Sequence, residues 1–155
     1  MKGNPKVIGQ LQEALTAELT AVHQFLLHGE MLRDWGFEKL AGHALEEAKE
    51  EMEHARRFME RILFLEGNPV VATLSEVQIG ADPKAQFDSD LALEIDQVQR
   101  LNKAVVVARA EEDNTSRELF EQVLKDEESH VDWIEAQLDL VRMTGIENYL
   151  SEQMN

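Results

Sequence analysis

Apolar residues recur along this chain at alternating steps of three and four, the period of a helix with one buried face. Four such stripes stand out. The first passes through Leu11, Leu15, Val22 and Phe25, and the second through Leu40, Ala44, Ala55, Phe58, Ile62 and Leu65. The third passes through Phe87, Leu91, Val98, Leu101 and Val105, and the fourth through Phe120, Leu124, Val131, Ile134, Leu138 and Val141. Breaker residues set the ends. Asn4-Pro5 is an N-cap followed by proline in the first turn, and Gly36 interrupts the first helix after about Trp35. A second helix, from about Phe37 to Glu66, stops at Gly67-Asn68-Pro69. Val70 to Ala81 carries no sustained stripe and reads as a connection. Asp82-Pro83 opens a third helix reaching about Glu111. Thr115 and Glu118 stand at capping-box spacing and open a fourth, which ends near Gly145. A short fifth helix is expected over Ile146 to Gln153. Strand signals are weak, because the β-branched run Val105-Val106-Val107 sits inside a helical pattern.

The connections set the topology. Helices one and two meet at a short turn and so do helices three and four, which makes each pair antiparallel. The middle connection is long enough to cross a bundle in extended form. The expected architecture is all-α: two helical hairpins joined by one long crossover between helices two and three, with a short C-terminal fifth helix. The 155 residues fit one domain spanning 1–155.

Charge changes the picture, because each stripe carries a carboxylate near its middle. Glu18 interrupts the first, Glu47 and Glu51 the second, Glu94 the third and Glu127 the fourth, with His54 and His130 beside the second and fourth. A lone buried carboxylate costs several kcal/mol or shifts its pKa until it is neutral. Four of them would cancel the roughly 5–15 kcal/mol that holds a domain together. Something positive must sit among them, and Lys49, Arg56, Arg57, Arg61, Arg100 and Lys103 mostly fall off the stripes. A metal is the natural answer. Glu51-Met52-Glu53-His54 and Glu127-Glu128-Ser129-His130 both read Glu-x-x-His, which puts both ligands on one helical face. Glu18 and Glu94 each lie 33 residues before the glutamate of a pair, so the two halves repeat at an offset of 76. One glutamate from each of two helices and Glu-x-x-His from the other two is the pattern of a di-iron carboxylate bundle. Four carboxylates balance two divalent ions, and oxygen-rich ligation with imidazole suits iron, manganese or zinc. Glu51 and Glu127 are expected to bridge the ions, with Glu18 and His54, and Glu94 and His130, as the outer ligands.

Composition excludes other chemistry. With no cysteine there is no disulfide framework, thiolate zinc site or iron–sulfur ligation. A formal net charge of -16 disfavours nucleic acid and favours a cation as partner. No signal-peptide core opens the chain and no run approaches the length of a membrane span, so a cytoplasmic protein without a membrane partner is expected.

These residues and their surroundings resemble the bacterioferritin family over essentially the full length. The resemblance rests on Met1-Lys2-Gly3, Glu60 to Gly67, Ser89 to Glu94, Asp126 to Trp133 and Glu147 to Leu150. It implies a ferritin-like fold and a hollow 24-subunit shell, assembled alone or with a second subunit type. It implies ferroxidase activity: Fe(II) oxidised by dioxygen or hydrogen peroxide at a di-iron centre of Glu18, Glu51, His54, Glu94, Glu127 and His130, two iron ions per subunit, with ferric mineral stored inside. It also implies haem b, one per subunit pair, ligated by Met52 from both partners, and a ferredoxin-type reductant for iron release. Met52 follows Glu51 and so points about 100° away from the bundle interior. In such a shell Glu47 and Glu50 would face the cavity and could pass iron inward. The chain departs from the family where Glu46 replaces a frequent histidine, and where Phe25, Leu45 and Phe58 replace frequent tyrosines. Trp133 is then a candidate electron donor, set against plain packing. His23, His28 and His43 have no ligand-spaced carboxylate on a stripe and read as surface, channel or interface residues. Two rival readings stay open: a non-storage di-iron redox enzyme, and a metal-storage shell without catalysis.

Overall fold

In the computed structural model, which describes residues 1–155, the apolar stripes fold as α1 (Pro5–Asp34), α2 (Glu38–Phe64), α3 (Pro83–Ala110), α4 (Asn114–Thr144) and the short α5 (Ile146–Ser151), with no strand. The caps explain the starts. Asn4 accepts a hydrogen bond from the Lys6 amide and Asp82 from the Ala85 amide, each with proline just inside the helix. α4 starts differently from expectation. Its cap is Asp113, whose carboxylate accepts from the Ser116 amide, and not the Thr115–Glu118 box. Arg61 fixes that choice by pairing with Asp113 and donating to the Ser116 hydroxyl, both at 2.9 Å.

Three helices end alike. After α1 the Phe37 amide donates to the Leu32 carbonyl and the Gly36 amide to Arg33, with Gly36 left-handed at φ 92°. The same Schellman pair of bonds closes α2 and α3, but there the left-handed residues are Glu66 (φ 62°) and Glu112 (φ 59°). Gly67 was the expected stop of α2; the chain turns one residue earlier.

α1 pairs with α2 and α3 with α4, and α1 also packs on α3. The bundle has two large apolar clusters and a small third one of Ala21, Phe25 and Ala48. One large cluster joins Leu11, Leu15, Phe58, Ile62, Leu101 and Phe120, and the other joins Leu40, Ala44, Phe87, Ile134, Val141 and Tyr149. Between these two lies a polar layer. The crossover, residues 65–82, is tied down by side chains at four-residue steps on α1. Gln12 exchanges two hydrogen bonds with Val70, and Thr20, Gln24 and His28 accept the amides of Ser75, Gln78 and Gly80. At Gly80 the chain passes so close to α3 that a Cβ would lie 2.3 Å from the Gln86 nitrogen, so no side chain fits there. No helix is long and apolar enough to cross a membrane.

Candidate metal centre

The polar layer is the meeting point of the four helix-centre carboxylates. Glu18 from α1, Glu51 and His54 from α2, Glu94 from α3 and Glu127 and His130 from α4 are all buried, with Glu18, Glu51 and Glu94 at 0% exposure. They form two overlapping groups, Glu18–Glu51–His54–Glu127 and Glu51–Glu94–Glu127–His130, whose ligand atoms lie within 4.8 Å of one another. Glu51 and Glu127 belong to both. His54 Nδ1 is 3.0 Å from Glu127, 3.5 Å from Glu51 and 3.6 Å from Glu18. His130 Nδ1 mirrors it, 3.0 Å from Glu51, 3.4 Å from Glu94 and 3.7 Å from Glu127.

The inward atoms lack hydrogen-bond partners. Both oxygens of Glu51 and of Glu94, Glu18 Oε2, Glu127 Oε1 and the Nδ1 atoms of both histidines are buried with no hydrogen-bond partner. Orphaned buried polar atoms are rare in folded proteins, and here they converge on one point. That convergence fits a pair of cations better than any protein group at hand, because no lysine or arginine reaches the cluster.

The electrostatics follow from the burial. Removal from water pushes Glu18 and Glu94 well above the usual carboxylate range, and the charges of Glu51 and Glu127 push them further. Burial also opposes charge on Glu127, but the close approach of Glu94, His130 and His54 outweighs it and holds that carboxyl below its ordinary value. For His54 and His130 burial favours the neutral ring, yet the three carboxylates around each Nδ1 outweigh it and raise both far above an ordinary imidazole. The cage thus gathers positive charge, as protons or as metal ions.

Two positioning contacts were not foreseen. His54 Nε2 lies 2.9 Å from Asp126, and His130 Nε2 lies 3.0 Å from Glu50. Each carboxylate holds the outer nitrogen of the opposite hairpin's histidine, which turns Nδ1 inward, an arrangement common behind metal-bound histidines. The sequence did carry the signal: the 76-residue offset that takes Glu51 to Glu127 also takes Glu50 to Asp126.

Other expectations need correcting. Glu47, expected to face a shell cavity, is 7% exposed in the single chain and its Oε1 lies 2.7 Å from His43. Glu50, expected to face the same cavity, is exposed and its carboxylate is engaged by His130. His28, expected at a surface, channel or interface, lies inside the fold. It is fully buried, with Nδ1 2.9 Å from Asp90 and Nε2 accepting the Gly80 amide, because it anchors the crossover. His43 stacks on Trp133 with ring centroids 3.5 Å apart. His23 is exposed, as expected. Met52 stays out of the cage, 46% exposed on the flank of α2.

Comparison with known proteins agrees with this geometry. The ferritin-like domain profile matches residues 8–144. The bacterioferritin of Mycolicibacterium paratuberculosis is 42% identical over 152 residues, covering 98% of this chain and 96% of its own. Those of Streptomyces coelicolor and Brucella melitensis are also 42% identical, covering 97% and 96% of this chain and 90% and 92% of their own. The fold and the four-carboxylate, two-imidazole core define a ferritin-like protein. Within that class, the chain belongs to the bacterioferritin family.

Proposed function

We propose that this chain stores iron and acts as a ferroxidase, oxidising Fe(II) to Fe(III) at the centre formed by Glu18, Glu51, His54, Glu94, Glu127 and His130. The observation that carries the reading is the set of orphaned oxygens and nitrogens that all face one buried point. Two Fe(II) ions are the substrate. Glu51 and Glu127 belong to both ligand groups and are the bridging candidates; Glu18 with His54, and Glu94 with His130, complete the two positions. Hard carboxylate oxygens favour Fe(III) over Fe(II), so the ligand set increases the driving force for oxidation. Each iron gives up one electron; dioxygen accepts the pair with two protons and leaves as hydrogen peroxide, or hydrogen peroxide accepts the pair with two protons and leaves as two waters. Asp126 and Glu50 keep both imidazoles oriented while protons held by the cage give way to the incoming cations. The net charge of -16 raises the local cation concentration.

The reading extends to a shell with haem at its two-fold interfaces. Met52 presents its thioether beside an open depression of about 460 Å³ that also includes Val22, Leu26, Leu45 and Ala48. Leu26 is 48% exposed there, so apolar surface flanks the sulfur, with Arg33, Glu46 and Lys49 also lining the depression. A half-exposed methionine on an apolar face fits a planar macrocycle shared with a second subunit, since one residue can ligate twice only on a two-fold axis. When bound, the haem would carry electrons toward stored ferric iron, supplied by a ferredoxin-type donor.

Aerobic Fe(II) addition is the test. A fast oxidation phase saturating near two irons per chain is expected, and Glu18→Ala or Glu127→Ala should abolish it. The same preparation should elute as a large shell. A slow phase indifferent to both substitutions would contradict the ferroxidase reading, and elution at 17.7 kDa would contradict the shell.

A further inference from the structure

The two halves of the cage differ around their outer glutamates. Gln97 lies on α3 one turn after Glu94, is 3% exposed, and donates from Nε2 to Glu18 Oε1 at 2.8 Å. Glu18 therefore offers a single unengaged oxygen, Oε2, to the centre, whereas both oxygens of Glu94 are unengaged. The 76-residue offset carries Gln97 back onto Ala21, whose methyl group donates nothing and packs with Phe25 and Ala48 instead. The carbonyl end of Gln97 has no partner of its own. A leucine would fill much the same space without that orphan but would leave Glu18 Oε1 without its donor, so the amide serves Glu18 rather than the packing.

We propose that Gln97 is a positioning residue that makes the two metal positions inequivalent. By holding Glu18 Oε1, it fixes the Glu18–His54 position in advance, so less side-chain freedom is lost when an ion arrives there. That position fills first. The Glu94–His130 position keeps an outer glutamate that can still turn, and is the second and more readily exchanged. Exposure points the same way, at 2% for His54 against 6% for His130. The inference rests on the two-ion reading above.

Anaerobic titration of the full assembly with Co(II), followed by calorimetry and visible absorption, tests it without turnover. The unsubstituted chain should bind two Co(II) in separable steps, with different spectra for the first and second ion. Gln97→Leu should still bind two, but with the first step weakened roughly tenfold, as expected for loss of a group behind a ligand, so that the steps merge. The second step should keep its affinity, whereas a purely structural glutamine would on substitution weaken both steps alike or neither. Should the leucine variant fail to assemble, Gln97→Met keeps the unbranched stem and gives the same readout. A Gln97→Leu isotherm that superimposes on the unsubstituted one overturns the role of Gln97 while leaving the di-metal reading intact. An unsubstituted chain that binds no pair of ions overturns both.

Discussion

At the scale of single residues, the centre depends on carboxylates that touch no ion. Asp126 is a surface-facing side chain by sequence, yet it holds the Nε2 of His54, which is 2% exposed. Asp126→Ala should leave the fold intact and weaken metal binding by roughly 10- to 100-fold, since the freed ring can rotate away from its inward orientation. A Zn(II) or Co(II) isotherm checks this, and unchanged affinity would remove Asp126 from the account. The six ligand candidates were legible in the sequence because a charge on an apolar stripe is conspicuous. Of their supports, only Glu50 and Asp126 left a trace, in the 76-residue offset. Gln97 and Val98 are neighbours on α3, and either satisfies a three-or-four-residue step; the helix's rotation buries Gln97 and leaves Val98 partly exposed. His28 looked like a surface residue because its partners, Asp90 and the Gly80 amide, lie 62 and 52 residues away in the chain.

At the scale of elements, helix positions followed directly from periodicity and proline-marked caps, while their ends depended on contacts between hairpins. α4 takes Asp113 as its cap because Arg61 of α2 pairs with it, which no local rule anticipates. Burial opposes the charge on Asp113, but hydrogen bonds from the Ser116 amide and hydroxyl and the pairing with Arg61 outweigh it and lower its pKa. A carboxyl lowered in the folded state stabilises fully above its unfolded pKa, about 3.9, and loses that contribution as pH falls through its folded value. Asp113→Asn keeps the cap acceptor but removes the charge, so its stability should fall less steeply below about pH 4. Acid denaturation of the two proteins checks the sign. The α3 terminus gives a second prediction. Glu112 stands in the left-handed region where the corresponding turn after α1 has Gly36. A side chain costs roughly 1–2 kcal/mol there, so Glu112→Gly should raise stability by about 1 kcal/mol in urea unfolding. A loss of stability would mean that the Glu112 side chain makes a contact worth more than the strain.

At the scale of the whole molecule, the architecture divides labour between two hairpins. Each supplies one outer glutamate, one shared glutamate and one histidine, and each orients the other's histidine through Glu50 or Asp126. The centre therefore exists only when both hairpins are docked, and the crossover pinned by Gln12, Thr20, Gln24 and His28 sets their relative register. The length of that crossover was readable from the chain, but its anchoring was not, because the polar ladder on α1 has a helical period without being apolar. Under the proposed two-ion reading, metal binding and docking of the hairpins are coupled, because cations in the cage would offset the cost of burying four carboxylates. The most direct measurement is anomalous diffraction at the iron edge from crystals loaded anaerobically with Fe(II). The account predicts two peaks per chain inside the six-residue cage, each flanked by a histidine Nδ1. A cage without iron peaks, with the metal bound elsewhere on the acidic surface, would contradict it.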